Sequence, residues 1–174
     1  MEPSVDPVAA VKYSVDQRAR LSAGASSTVI HEAVAAALLE RAVHGERLLD
    51  VGCGAAGLRP FVQALCDRYV GTDVVRHSGF PPDAEFLLAN LDAGNVPLPD
   101  GSCDVVACVE TIEHVENPRA LMREMTRLVR PGGWLVVTTP NQLGRIFRFL
   151  RPFVKWSARR FFPVIVARYA SFAR

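Results

Sequence analysis

An apolar run that ends on an acid and breaks into glycines, LLDVGCGAAG over residues 48–57, is the segment that most narrows what this chain can fold into. Arg47, Leu48 and Leu49 lead to Asp50 and Val51, and Gly52-Cys53-Gly54-Ala55-Ala56-Gly57 follows before a stretch with helical spacing. A strand that enters a helix through such a turn brings bare backbone N–H groups against a nucleotide-like ligand. GCGAAG also satisfies G-x-G-x-x-G, the pattern of dinucleotide-binding turns. Two readings of the ligand therefore start from the same residues.

The neighbouring segments place this turn in a fold. Ser26, Ser27 and Thr28 offer N-cap hydroxyls, and Val29, Ile30, Ala33, Val34, Ala37, Leu38 and Val43 keep helical spacing, which predicts a helix over 28–43. The same patterning predicts strands over 47–51, 69–75, 85–91, 104–109 and 134–139. It predicts further helices over 58–68 and 117–129, the latter stopped by Pro131-Gly132-Gly133. Phe162–Tyr169 reads as one more strand. The strands are continuous apolar runs separated by helices, which points to an α/β, Rossmann-like, doubly wound and mainly parallel sheet covered on both faces. Ligands in such sheets bind beyond the carboxyl ends of the strands, where the strand order reverses. Gly52–Gly57, Asp73, Asp92 and Val109-Glu110 all fall just after the ends of the first four strands, so four chain segments converge on one crevice.

Composition removes several classes. No run of about 18 apolar residues exists, and MEPSVDPVAA lacks a basic stretch followed by an apolar one, so neither a spanning helix nor a secretory signal is expected. The four cysteines, at 53, 66, 103 and 108, show neither C-x-x-C pairing nor zinc spacing. They read as reduced thiols in a cytoplasmic protein, with no metal cluster. The charge is uneven: residues 1–140 carry all 18 acids and 12 of the 20 Lys and Arg, whereas residues 141–174 carry eight bases and no acid. Arg145, Arg148, Lys155 and Arg159 recur among Ile146, Phe149, Leu150, Phe153 and Trp156, with Pro152 interrupting. A cationic face beside an aromatic one suits a membrane interface, so residues 145–160 point to peripheral membrane contact. The alternative is that the apolar face packs on the core and the arginines are solvated. The absence of an RNA-binding motif and of basic residues elsewhere argues against nucleic acid. The chain thus divides into an arm (1–25), a core (26–141) and a basic, aromatic-rich segment (142–174).

The motifs DVGCG, GTDV, LDAGNVPLPDGSCDVV, VETIEHVENP and LVRPGGWLVVTTPN follow one another as they do in class I S-adenosylmethionine-dependent methyltransferases. Over residues 28–141 the chain resembles the small-molecule branch that includes the ubiquinone-biosynthesis methyltransferases. Asp50, two residues before the first glycine, stands where dinucleotide sites carry an apolar residue. The resemblance implies S-adenosylmethionine as cofactor. Gly52, Cys53 and Gly54 would admit its methionine portion and ribose, with the following helix N-terminus toward its carboxylate. Asp50 would orient the loop or contact the amino group. Asp73 would accept from the ribose hydroxyls, Val74 would pack on the adenine, and Asp92, beside Leu91, would accept from the adenine amino group. Val109 and Glu110 would floor the crevice near the sulfonium. Two residues depart from the family pattern: Ala56 stands where a third glycine is usual, with Gly57 after it, and Cys103 replaces an aromatic.

The activity so implied is in-line methyl transfer to a small, lipophilic acceptor, with Glu113 and His114 as candidate general bases. The alternative for His114 is a hydrogen bond within the following turn. Members of the family continue after strand five with a helix and two strands, the last antiparallel, while 33 residues follow Asn141 here. A shortened methyltransferase-like binding module without catalysis therefore stands as the alternative function.

Overall fold

The computed structural model describes residues 27–139, and the backbone of residues 164–168. The arm 1–25 and the membrane-contact segment 145–160 lie outside the described residues. In chain order the elements are α1 (Thr28–Leu39), β1 (Gly45–Val51), α2 (Arg59–Val62), β2 (Cys66–Asp73), β3 (Glu85–Leu88) and β4 (Cys103–Val109). A 3-10 turn (Ile112–His114), α3 (Pro118–Leu128), β5 (Val129–Thr138) and β6 (Val164–Arg168) follow. The strands form one sheet in the order β3-β2-β1-β4-β5-β6. β1 to β5 are parallel and β6 runs antiparallel to β5, which is the mainly parallel α/β architecture expected.

Both faces of this sheet are covered, which explains the unbroken apolar strands. Leu48, Val105, Ala107 and Val136 point to one side, where Ile30, Val34 and Leu38 of α1 and Val62 of α2 pack. Leu49, Val51, Val70, Val106 and Leu135 point to the other, against Leu121, Met125 and Leu128 of α3. All four cysteines are free and buried. Met125 is core with Met122 partly buried beside the α3-side cluster, and Trp134 is partly buried against the α1-side cluster.

β1, β2 and β3 span Gly45–Val51, Cys66–Asp73 and Glu85–Leu88 rather than 47–51, 69–75 and 85–91, and three further elements differ from their expected bounds for identifiable reasons. α1 stops at Leu39, and Ala42 adopts a left-handed φ of 49° that returns the Val43 amide to the Leu38 carbonyl (3.1 Å). Val43 thus reaches the core without being helical. α2 is a single turn rather than a helix over 58–68, because β1 begins at Gly45 and recruits Cys66 and Arg68 into β2 (Gly45↔Cys66, Arg47↔Arg68). β5 begins at Val129, not Trp134: Val129 pairs with Cys103 and Trp134 with Val105. Pro131-Gly132-Gly133 bulges out between these pairs, with Gly132 at φ 78°.

Two features of the topology position the site. β2 and β3 lie on one side of β1, and β4 and β5 on the other, so the strand order reverses between β1 and β4. At the far side, Thr138 at the end of β5 pairs with Val164 at the start of β6. The chain therefore leaves the sheet and rejoins it at one place, on the same carboxyl edge as the crevice.

Candidate functional site

The glycine turn after β1 is locked to β2. The amides of Gly52 and Cys53 both donate to the Thr72 carbonyl (2.8 and 3.2 Å), and the Gly54 amide donates to Asp73 Oδ2 (3.0 Å). Gly52 and Gly54 take φ of 73° and 52°, in the left-handed region that glycine adopts without strain. At Gly52 the lack of a side chain also serves the protein's own packing, since a Cβ there would lie 2.2 Å from Cγ2 and Oγ1 of Thr111. Ala56 also has a positive φ, 62°, and its methyl is buried. A Cβ at Gly57 would meet the His31 ring of α1 at 2.7 Å. The displaced glycine thus has a steric reason: alanine fits at 56 at the expense of strain, and only glycine fits at 57 beneath His31. Burial lowers the His31 pKa. Because α2 is one turn long and the amides of Gly52, Cys53 and Gly54 are spent on β2, what this loop offers a ligand is close approach to a backbone without side chains rather than a helix dipole.

The strand-end acids occupy three different environments. Asp73 is nearly buried, and its Oδ1 accepts from the Val74 amide (2.7 Å) while Oδ2 holds Gly54, so one carboxylate ties the end of β2 to the turn. Each oxygen retains a lone pair for a further donor. Asp50 is 2% exposed and accepts from the Tyr69 hydroxyl at 2.5 Å. Its burial pushes the carboxyl pKa up to about 7, helped by the charge of Asp73 and opposed by the Tyr69 hydrogen bond. Burial likewise pushes the Cys53 and Cys108 thiols and the Tyr69 hydroxyl upward, so these groups stay protonated. Asp92 is half-buried, and its Oδ1 accepts from the amides of Glu116 (2.6 Å) and Asn117 (2.9 Å). Its Oδ2 is buried with no hydrogen-bond partner. Asn117 in turn caps α3 through the Ala120 amide (3.1 Å). Asp92 therefore clamps the entry to α3 in addition to lining the turn after β3. Val74 is half-buried, whereas Leu91 and Val109 lie in the core.

Beyond β4 the chain turns sharply. Glu110 takes a φ of 50°, a conformation that costs a non-glycine residue about 1 kcal/mol or more. Its amide is held by Thr138, through Oγ1 at 3.0 Å and the carbonyl at 3.3 Å. Glu113 and His114 are exposed in the 3-10 turn that follows. Partial burial, with the charge of Glu110, raises the Glu113 pKa against the lowering effects of His114 and a hydrogen bond to Thr139. Among the described residues, no group of three His, Cys, Asp or Glu side chains is arranged to hold a metal ion.

Sequence reading missed Thr111 and Tyr69. Thr111 Oγ1 donates toward both the Gly52 carbonyl (3.3 Å) and the Val109 carbonyl (3.1 Å), joining the turns after β1 and β4. A hydroxyl between two acids in VETIEHV was the available signal. Tyr69 looked like an ordinary apolar strand residue, and its bond to Asp50 depends on the β1–β2 register.

Comparison with known proteins agrees with this fold. A family model described as Methyltransferase domain matches residues 49–137, just over half of the chain. The chain is similar to the ubiquinone biosynthesis O-methyltransferase of Burkholderia vietnamiensis, at 34% identity over 109 residues covering 56% of this chain and 46% of that protein. It is 31% identical over 115 residues to the protein of the same description from Albidiferax ferrireducens, covering 60% of this chain and 45% of the relative. The chain spans about half the length of the curated relatives it matches. Its fold is similar to that of a SAM dependent methyltransferase from Aquifex aeolicus, with a TM-score of 0.56, 17% identity and 74% of each chain covered.

Proposed function

The chain belongs to the methyltransferase domain family, in the class I S-adenosylmethionine-dependent group, and on that premise we propose that it binds S-adenosylmethionine at the carboxyl edge of its sheet and catalyses in-line methyl transfer to a small, lipophilic acceptor. The observation that carries the cofactor reading is the buried Asp92 Oδ2 without a partner, taken with the Asp73 carboxylate that holds the glycine turn beyond the end of β2. A buried acceptor left unmatched costs about 1–3 kcal/mol, which a ligand amino group would recover. The residues present therefore fit an adenine amino group at Asp92 and ribose hydroxyls on the free lone pairs of Asp73.

In this reading Gly52, Cys53 and Gly54 supply backbone to the methionine portion, Val74 packs on the adenine with Leu91 behind, and Val109 and Glu110 floor the crevice. Asp50, buried against Tyr69, orients the loop from beneath. When bound, the cofactor supplies a methyl group activated by its sulfonium. The chain's own part is alignment and exclusion of water, which for a phenolic or carboxylate acceptor is most of what is required. For an acceptor that must lose a proton, Glu113 and His114 remain the candidate bases, and partial burial raises the Glu113 pKa, the direction that makes a carboxylate a stronger base.

Titration calorimetry of the full chain with S-adenosylhomocysteine and with NAD tests the cofactor. Binding of the former alone is expected, and heat with NAD and none with S-adenosylhomocysteine would overturn the reading. Asp73→Ala is expected to weaken S-adenosylhomocysteine at least tenfold, from the loss of charge-assisted bonds of roughly 1.5–3 kcal/mol each.

The lipophilic acceptor rests on the basic, aromatic-rich residues 145–160, proposed to contact an anionic membrane surface. Support comes from the two sheet positions that flank them in sequence, Thr138 and Val164, which pair at the carboxyl end of β5. Each basic residue near such a surface contributes about 1 kcal/mol. Since β6 follows this segment, charge neutralisation is a better test than truncation. The parent chain should sediment with anionic liposomes at low salt, and a variant with Arg145, Arg148, Lys155 and Arg159 changed to Gln should stay in the supernatant. Equal sedimentation of the two would exclude membrane contact through these residues.

A further inference from the structure

We propose that Thr111 is a positioning residue that holds the cofactor turn in register with the acceptor-side turn. The inference rests on the methyltransferase reading given above. It starts from an unusual juxtaposition: two left-handed backbone positions, Gly52 after β1 and Glu110 after β4, meet across one side chain. The Thr111 hydroxyl shares its proton between the carbonyls of Gly52 (3.3 Å) and Val109 (3.1 Å). Its Oγ1 and Cγ2 fill the space that a Cβ on Gly52 would take, each 2.2 Å from that position. From the opposite side, the Glu110 amide is fixed by Thr138, so the residue before Thr111 cannot yield independently.

The consequence is mechanical. The Gly52 carbonyl lies on the segment that carries Cys53 and Gly54, and the Val109 carbonyl closes the strand from which Glu110, Glu113 and His114 project. A shift of either turn breaks one arm of the bifurcated bond. In the methyltransferase reading these two turns bring the cofactor's methyl group and the acceptor together, and a misplacement of about 1 Å can cost a group transfer on the order of a hundredfold. Thr111 touches neither in this role, since its atoms are spent on Gly52 and Val109. Its effect is transmitted through the backbone at both ends.

Thr111→Val keeps the branched shape and removes the hydroxyl, whereas Thr111→Ser keeps the hydroxyl and removes the methyl. Thr111→Val is expected to weaken S-adenosylhomocysteine about fivefold in titration calorimetry and, once an acceptor is in hand, to lower kcat more than it raises the acceptor KM. Thr111→Ser should bind within twofold of the parent. Equal affinity of Thr111→Val and the parent would overturn the proposal, as would equal weakening by the two variants. If Thr111→Val does not fold, Thr111→Ala against Thr111→Ser carries the same comparison, and equal affinity of that pair overturns it. Failure of the parent chain itself to bind S-adenosylhomocysteine would overturn the cofactor reading instead, so the two failures are distinguishable.

Discussion

Gly52→Ala is expected to destabilise the chain by about 3 kcal/mol or more and to abolish binding at the turn. A φ of 73° costs a residue with a Cβ roughly 1–2 kcal/mol. The new methyl would sit 2.2 Å from two atoms of Thr111, and that side chain is held by the carbonyls of Gly52 and Val109. Displacing it adds about 1–3 kcal/mol of overpacking and sacrifices a hydrogen bond of about 1 kcal/mol. The lower backbone entropy of the unfolded alanine chain returns only about 0.4–1 kcal/mol. Urea unfolding measures the difference, and a midpoint within error of the parent would show that the turn accommodates a side chain. Ala56→Gly is the informative contrast. It relieves a comparable strain at φ 62° but removes a buried methyl worth about 0.8 kcal/mol and loosens the unfolded chain, so the terms nearly cancel.

Asp50→Asn is expected to stabilise the chain by a few kcal/mol above pH 7 while changing little near pH 4. The folded chain holds the Asp50 proton far more tightly than the unfolded chain, with a pKa of about 7 against 3.8. That contribution to stability is fully present below the unfolded value and is lost as pH rises through about 7. Three units correspond to about 4 kcal/mol at most. The amide substitution keeps a neutral partner for the Tyr69 hydroxyl at every pH, so the variant lacks this loss. Thermal unfolding of parent and variant from pH 4 to pH 8 reads the effect as a widening gap. A gap independent of pH would mean that Asp50 is charged in the folded chain throughout.

The sheet was legible in the sequence because its strands are buried on both sides. Val105-Val106-Ala107-Cys108 has no polar alternation to confuse with a hairpin, and the polar residues after such runs mark the strand ends where ligands gather. The position of Asp73 beside the glycine turn follows from that pattern alone. Length was less legible than identity. Leu58, Phe61, Val62 and Leu65 are as consistent with three helical turns as with one, and the choice was made by Gly45 pairing with Cys66, a decision of the neighbouring strand. Asp92 shows a different limit. Its place beyond β3 was readable, although the strand stops at Leu88 rather than at 91, but the amides of Glu116 and Asn117 that it clamps lie 24 and 25 residues away. The bond from Thr111 to Gly52 spans 59 residues, so a hydroxyl between two acids was the whole local signal and its partner was not readable.

The pairing of Thr138 with Val164 carries an evolutionary consequence. In ladder terms, β5 and β6 are antiparallel neighbours whose facing ends already meet at Thr138 and Val164. An insert at such a point can lengthen, shorten or be exchanged between relatives while every strand keeps its register. Doubling the length of a flexible closed loop costs only about 0.6 kcal/mol. The fold thus sets apart what must stay in register together, the β1, β2 and β4 ends with their interlocked turns, from the outer β5–β6 ladder, whose closure does not pass through them.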